Sequence, residues 1–249
     1  MLRAHRNTDP RFSAVGEIIF DRAEKRNALT PGMLEKAIDE ARALADDNSV
    51  RAILLRGEGA AFCAGFDLTM CKQSPDAVRD LLTSLSSLIR LLRRIEKPIV
   101  IAAHGAALGG GCALLGGADF VITDKMARLG YPVTRIGLSP AVNAPAISLR
   151  IGPRACRERL LDPEPISGEE ARRLGLADLC VDLPEDVTPR AQIEAARLAQ
   201  KPPHALAATK RWLNELDGSL DDTAFDRALN ASLALVGGAE ERALLARLA

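Results

Sequence analysis

The chain has 249 residues, of which 47% are hydrophobic and 27% are charged, and its 33 basic side chains balance its 33 acidic ones. This composition is typical of a globular protein and excludes a disordered, collagen-like or coiled-coil chain. The balanced charge argues against nucleic acid or a membrane as a partner, and an aromatic content of 3% is too low for a base-stacking platform.

Strands and helices alternate in the first half of the chain. Short apolar runs predict buried strands at residues 15–20, 52–56, 98–103 and 119–123. Thr30 and Ser74 each precede a proline, and a capping residue followed by proline at the first helical position predicts a helix start. The second of these helices should continue to Lys97, because Pro98 disfavours the helical conformation of the residue before it. Residues 109–111, three glycines, open a further short helix.

The last third of the chain is mostly helical. Ser167 and Glu170 fit a capping box, Gly175 fits the end of that helix, and residues 176–181 follow as a strand. Further helices are predicted to begin near Pro189 and Pro203 and after Ser219 and Gly238. We find no internal repeat, no low-complexity segment and no linker that would separate two domains.

Several common sites and locations are not predicted. Residues 99–118 carry no charge and could span a membrane, but six glycines and His104 favour a buried strand, turn and helix. The five cysteines are widely spaced and no two histidines have metal-ligand spacing, so we expect reduced thiols, no metal and a cytoplasmic location. Residues 137–141 only faintly resemble a nucleophile elbow, because Pro140 lacks the N–H needed there.

Two glycine-containing loops each follow an apolar strand. They are residues 61–68, AFCAGFDL, and residues 104–112, HGAALGGGC. Taken alone, each loop is most simply a tight turn with close packing. Alternatively, the small residues let a ligand approach the backbone, and the free N–H groups at the start of the next helix point at a developing anion.

Together, and in this order, the loops resemble those of the crotonase (enoyl-CoA hydratase/isomerase) superfamily. The resemblance runs from about Val15 to about Ala205 and includes residues 22–29 (RAEKRNAL), 166–177 and the helical tail around Lys210. It implies an α/β fold in which a β-β-α spiral core, residues 1–190, binds a CoA thioester. It also implies that a helical C-terminal region, residues 191–249, assembles homotrimers or dimers of trimers.

The resemblance further implies the roles of individual residues. The backbone N–H groups of Phe66 and Gly110 would form an oxyanion hole, which holds the thioester oxygen while an enolate forms, and Tyr131 is a candidate proton donor. No cofactor is implied beyond the CoA of the substrate. The other positions expected to contact substrate or CoA are Lys25, Arg26, Ala28, Ala64, Asp67, Leu68, Ala113, Pro132 and Val133.

Two of these assignments have simpler alternatives. Lys25 and Arg26 would bind the CoA phosphates, as a point charge and a planar fork respectively, or they would simply face solvent. Asp67 would substitute for a missing catalytic carboxylate, or it would bond the backbone of its own loop. We favour the second alternative for Asp67.

The sequence departs from the family at both catalytic glutamates. The first would follow the glycine triplet and cysteine, where this chain has Ala113, and the second would follow Pro132, where it has Val133. Each general acid or base contributes about 10²–10⁴ in rate. Efficient hydration by the usual two-glutamate route is therefore not expected.

Three explanations of this departure are open. The protein could catalyse another acyl-CoA reaction such as decarboxylation, with Tyr131, Ser139 and Asn143 near the acyl group. It could retain hydratase or isomerase activity, with water or a displaced carboxylate in place of the glutamates. It could instead be a non-catalytic acyl-CoA-binding protein, since alanine and valine make the pocket more apolar. We expect an enzyme, because both loops of the oxyanion hole are intact.

Overall fold

A computed structural model describes residues 1–247, in which nine strands and ten helices form. The strands are β1 (Leu2–Arg6), β2 (Val15–Phe20), β3 (Ala52–Gly57), β4 (Ile99–Ala103), β5 (Ala106–Leu108), β6 (Phe120–Asp124), β7 (Arg128–Gly130), β8 (Ile166–Ser167) and β9 (Leu179–Val181). The helices are α1 (Pro31–Asp46), α2 (Leu68–Gln73), α3 (Pro75–Arg94), α4 (Gly110–Leu114), α5 (Ala144–Leu161), α6 (Gly168–Arg173), α7 (Val187–Ala199), α8 (Pro203–Leu216), α9 (Asp222–Leu233) and α10 (Ala239–Ala246).

Two sheets form the centre of the molecule, which confirms the predicted α/β class. The larger sheet has the strand order β1-β2-β3-β4-β6-β9, with β1 antiparallel to β2 and every other pair parallel. The smaller sheet has the order β5-β7-β8. The chain passes from the larger sheet to the smaller at His104 and Gly105, between β4 and β5. The second glycine-containing loop therefore lies where the two sheets meet.

Helices cover both faces of the larger sheet, and alternate residues of β3 show how. Ile53 and Leu55 belong to the apolar core that includes α1 and α3, while Leu54 packs in a second core with residues of α7. Successive side chains of a strand point to opposite faces, so a strand covered on both sides is apolar throughout. This explains the uninterrupted apolar runs in the sequence.

Most predicted element boundaries are confirmed. The Thr30 hydroxyl accepts the N–H of Met33 at 3.3 Å, and the Ser74 hydroxyl accepts the N–H of Asp76 at 3.2 Å. The predicted end of the second helix at Lys97 is wrong. Helix α3 ends at Arg94 because the backbone already turns at Ile95 (φ −54°, ψ 127°), which leads the chain into β4.

The C-terminal helices pack against the rest of the chain. Helix α7 spans residues 190 and 191, where we predicted the limit of the core, and its buried face covers the larger sheet through Ala191 and Ala195. The oligomerisation role of residues 191–249 stays a prediction. Within the described residues, the five cysteines are unpaired, and no helix is both long and apolar enough to cross a bilayer.

Candidate functional site

The first glycine-containing loop pairs with a segment that lies far from it in the sequence. The N–H of Ala64 donates to the carbonyl of Arg26 at 2.9 Å, and the N–H of Leu29 donates to the carbonyl of Gly65 at 2.7 Å. The N–H of Asp67 returns to the carbonyl of Leu29 at 2.9 Å. Residues 26–29 and 64–67, which the resemblance assigns to CoA binding, are therefore neighbours.

The second loop completes the assembly from the other side. The N–H of Cys63 donates to the carbonyl of Ala106, and the N–H of Leu108 donates to the carbonyl of Cys63, both at 3.0 Å. The N–H of Gly109 donates to the carbonyl of Gly130 at 2.9 Å, which brings residues 131–133 alongside. Three separate segments of the chain thus surround the start of α4.

The backbone N–H groups of Phe66 and Gly110 both lie at this point, and neither has a protein acceptor within residues 1–247. The groups on either side of Phe66 bond Leu29, and successive residues of an extended segment alternate in direction, so the Phe66 N–H points away from residues 26–29. Gly110 is the first residue of α4, where a helical N–H has no partner within the helix.

Phe66 and Gly110 also lie in direct contact. A Cβ atom added at Gly110 would lie 2.9 Å from Cε1 of the Phe66 ring and 3.1 Å from Cδ1 of Leu29. Glycine is therefore the residue that allows the Phe66 ring to pack on the start of α4. The two free N–H groups border one small space.

An apolar, partly open cavity occupies this space. Both positions of the expected glutamates, Ala113 and Val133, line it, and so does the candidate proton donor Tyr131. Among the described residues that line it there is no carboxylate, lysine, arginine or histidine. The lining residues are Phe66, Leu82, Leu85, Gly109, Gly110, Ala113, Tyr131, Val133, Leu138, Ser139, Pro140, Val142 and Asn143.

The Tyr131 hydroxyl is held by two hydrogen bonds. It accepts from the side-chain amide of Asn143 at 2.6 Å and donates to the carbonyl of Cys112 at 3.4 Å. Burial raises the pKa of Tyr131 well above 10. The hydroxyl is therefore neutral at physiological pH, and its proton is directed at the backbone of α4.

Asp67 is bound on two sides. Its carboxylate accepts the N–H of Thr69 at 3.0 Å, which caps α2, and accepts from the guanidinium of Arg22 at 2.7 Å. Burial opposes ionisation, but the Arg22 pair and the backbone N–H groups outweigh it and lower the pKa of Asp67. A carboxylate with a lowered pKa is a weak base, so this geometry favours the loop-bonding alternative.

The remaining predicted residues lie around the same loops. Lys25, Arg26 and Leu68 are exposed, which is compatible with either interpretation of the two basic residues, while Ala28, Ala64 and Pro132 are half-buried. Two leucines of α3, Leu82 and Leu85, line the cavity although the sequence did not predict it. Their helical spacing indicated only a buried stripe, and nothing in the sequence shows what that stripe faces. Within residues 1–247, no cluster of His, Cys, Asp or Glu could hold a metal ion.

Comparison with known proteins adds independent information. The profile of the enoyl-CoA hydratase/isomerase family matches residues 11–232. The crotonyl-CoA hydratase of Syntrophomonas wolfei is 30% identical over 201 residues, 80% of this chain and 77% of that protein. The 1,2-epoxyphenylacetyl-CoA isomerase of Escherichia coli is 28% identical over 84% of this chain and 82% of that protein. The crystal structure of an enoyl-CoA hydratase/isomerase from Mycobacterium paratuberculosis is 26% identical, with a TM-score of 0.87 over 99% of this chain and 98% of that one.

Proposed function

Because the chain belongs to the enoyl-CoA hydratase/isomerase family, we propose that it is an acyl-CoA-processing enzyme whose oxyanion hole is formed by the N–H groups of Phe66 and Gly110. The observation that carries the proposal is that these two acceptor-free N–H groups border one apolar cavity. An enolate places negative charge on the thioester oxygen, and preorganised donors stabilise that charge. One such donor contributes about 10²–10³ in rate.

The CoA part of the substrate would lie along the paired segments 26–29 and 64–67. Backbone near Ala64 and Phe66 would receive the adenine, and the exposed Lys25 and Arg26 would contact the phosphates. The acyl group would then extend past Gly110 into the cavity. The five unpaired cysteines fit the reducing cytoplasm as its location.

The proposed chemistry requires no carboxylate base. In a decarboxylation, the bond between the α-carbon and the substrate carboxylate breaks, CO₂ leaves, and the electron pair forms an enolate held by Phe66 and Gly110. A proton from solvent or from Tyr131 then completes the product. An apolar cavity favours this step, because it destabilises the charged carboxylate relative to neutral CO₂.

A non-catalytic acyl-CoA-binding protein is the second candidate. The specific observation in its favour is the cavity lining, which contains no carboxylate among the described residues. Ala113 and Val133 leave an apolar surface that suits an acyl chain. Both candidates bind an acyl-CoA thioester, but only the enzyme converts it to a product.

Mass spectrometry in heavy water separates the two. The purified protein is incubated with enoyl-, saturated, malonyl-type and aromatic CoA thioesters, and the products are compared with those of a no-enzyme control. Water addition, α-deuterium exchange, loss of CO₂ or thioester hydrolysis would establish an enzyme and its reaction class. Saturable binding without any of these changes would establish the binding protein.

Two variants of Gly110 test the oxyanion hole itself. Gly110→Ala keeps the N–H and adds a Cβ against the Phe66 ring, whereas Gly110→Pro adds the same Cβ and removes the N–H. Turnover of Gly110→Pro should fall about 10²–10³ below that of Gly110→Ala. Equal turnover of the two variants would contradict the role of this N–H.

We also propose that the chain self-associates through α8. Trp212, Leu213 and Leu216 are 62%, 52% and 72% exposed, and such an apolar patch on a surface marks an interaction site. Light scattering is expected to give three or six times the mass of one chain. Trp212→Glu should lower that mass, and an unchanged mass would place the interface elsewhere.

A further inference from the structure

One wall of the cavity is a short turn formed by Ser139 and the 3-10 segment Pro140–Asn143. Within the turn, the Ser139 hydroxyl accepts the N–H of Ala141 at 3.2 Å. The N–H of Val142 and the carbonyl of Ser139 have their hydrogen bonds outside the turn. Both bonds go to a single side chain of helix α9.

That side chain is Ser232, near the end of α9. Its hydroxyl accepts the N–H of Val142 at 2.9 Å and donates to the carbonyl of Ser139 at 2.9 Å. Ser232 is fully buried, and no other described group bonds either backbone atom. Without the hydroxyl, the buried N–H of Val142 and the half-buried carbonyl of Ser139 would both lose their partner, and the turn would have to move to restore them.

Helix α9 also connects this turn to the opposite wall of the cavity. Leu82 and Leu85 form that wall on α3. The same helix α3 holds the first turn of α9, because Arg90 and Arg94 bond the carboxylate of Asp222 at 3.1 and 2.7 Å. Helix α9 therefore bridges the two walls, and Ser232 is its attachment to the second one.

The cavity is small for a ligand site. The space inside it, about 20 Å³, is little more than the roughly 10–15 Å³ that a single water molecule needs. The CoA part is proposed to lie outside it, along residues 26–29 and 64–67. The acyl group alone must therefore fit between Leu82, Leu85 and the turn held by Ser232.

We infer that Ser232 is a positioning residue that limits the length of the acyl chain, and that the site takes short-chain acyl-CoA thioesters. The inference rests on the proposed function, because it assumes that the cavity holds the acyl group. It assigns to the C-terminal helices a part in substrate choice. No contact between Ser232 and the substrate is needed.

Calorimetric binding to free CoA and to acetyl-, butyryl-, hexanoyl- and octanoyl-CoA tests the inference. The wild-type protein should bind butyryl-CoA more tightly than octanoyl-CoA. In Ser232→Ala the ratio of octanoyl to butyryl affinity should rise about 2- to 10-fold, the range expected if one of its two lost hydrogen bonds is not restored, while binding of free CoA stays unchanged. Ser232→Thr keeps the hydroxyl and should keep the wild-type ratio.

Two further variants make the result interpretable. Ser219→Ala removes another fully buried hydroxyl, which bonds Arg93 and Asp217 instead of the cavity wall, and should leave the ratio unchanged. Val142→Ala widens the wall directly and should raise the ratio, which shows that the assay detects a change there. If Ser232→Ala does not fold, Ser232→Cys takes its place, since a thiol donates only weakly.

The outcomes separate this inference from the proposed function. An unchanged ratio in the Ser232 variant overturns the inference, and so does a change of equal size in Ser219→Ala. A wild-type preference for octanoyl-CoA overturns the short-chain assignment. Failure of every CoA thioester to bind would instead overturn the proposed function.

Discussion

Restoring the two missing carboxylates is the sharpest test of the site. Ala113 and Val133 line the cavity that the N–H groups of Phe66 and Gly110 border. If these loops form a competent oxyanion hole, the Ala113→Glu, Val133→Glu double variant should gain hydration of a short enoyl-CoA thioester. The chain would then carry an acid, a base and a hole for the enolate oxygen in one cavity.

The size of the gain depends on the surroundings of the two positions. One general acid or base contributes about 10²–10⁴ in rate, and two that act together need not multiply. Ala113 is only 2% exposed, so a glutamate there would be desolvated and its pKa raised. Val133 is half-buried, so a glutamate there would stay closer to its ordinary pKa. We expect an increase of at least about 10² over the wild-type protein, with a bell-shaped pH dependence.

The assay is the loss of enoyl absorbance, with the hydrated product confirmed by mass. The matched control is the Ala113→Gln, Val133→Gln double variant, which has the same size and hydrogen-bonding capacity but cannot transfer a proton at neutral pH. The glutamate variant should exceed the glutamine variant by the full expected factor. Equal rates in two folded, CoA-binding variants would refute the reasoning, because the hole would then not stand where enolate chemistry needs it.

Three further predictions concern the pair Arg22 and Asp67, two glycines and Tyr131. Replacing Arg22 with Met should lower the unfolding free energy by about 1–3 kcal/mol at pH 7. Because the folded-state pKa of Asp67 is lowered, the part of this difference that comes from the ion pair should be lost as the pH falls through that value. The loss of the bond from Arg22 to the carbonyl of Ala28 persists in acid, so a difference of the same size at every pH would contradict the ion pair. A Cβ at Gly105 would lie 2.1 Å from the carbonyl of Ala60 at φ +65°, so Gly105→Ala should cost at least about 3 kcal/mol in denaturant unfolding. Gly218→Ala, at φ +78° with open space around it, should cost only about 1–2 kcal/mol. Tyr131→Phe should lower turnover less than tenfold, because its hydroxyl bonds Asn143 and Cys112, whereas a fall of about 10² would make it the proton donor.

Local chemistry explains why much of the fold could be predicted from the sequence. The capping serine and threonine, the prolines after them and the apolar strand runs act within a few residues, and they gave correct starts for α1, α3 and α6. The family and the crotonase-like fold, predicted from two loops, are confirmed by the profile match and by the TM-score of 0.87. The predicted strand at 176–181 is confirmed only over Leu179–Val181.

Six elements were not predicted, namely β1, β5, β7, β8, α2 and α5. For β1 and α5 the reason is identifiable. Strand β1 lies at the edge of the larger sheet and buries only Leu2, so its sequence shows no apolar run. Helix α5 contains Gly152 and Pro153, which normally end a helix, and the backbone at Gly152 does leave the helical conformation (φ +78°). The chain resumes the helix after it, and packing on the neighbouring segments rather than local propensity holds the two parts together.

The cavity shows which part of a site a sequence can reveal. Its loops were identifiable because glycine is required where the backbone reverses or approaches closely, as at Gly65 and Gly109 with φ of +98° and +51°. Its walls could not be identified, because the lining residues Leu82 and Val142 come from distant segments with no local signature. The same is true of Ser232, which holds the turn at Val142. Tertiary packing therefore sets the extent of the cavity.

The proposed oxyanion hole is formed by backbone groups, which explains how it can persist in a chain that lacks the family's two catalytic glutamates. The donors are main-chain N–H groups fixed by loop pairing, so substitutions at Ala113 and Val133 leave them in place. Proton transfer, in contrast, depends on single side chains that can be exchanged without disturbing the fold. Membership of the family therefore predicts recognition of a thioester oxygen, while the side chains of the cavity determine which reaction the bound thioester undergoes. In this chain none of the described lining residues is a carboxylate, so under the proposed function the substrate itself supplies the leaving group, as CO₂ does in a decarboxylation.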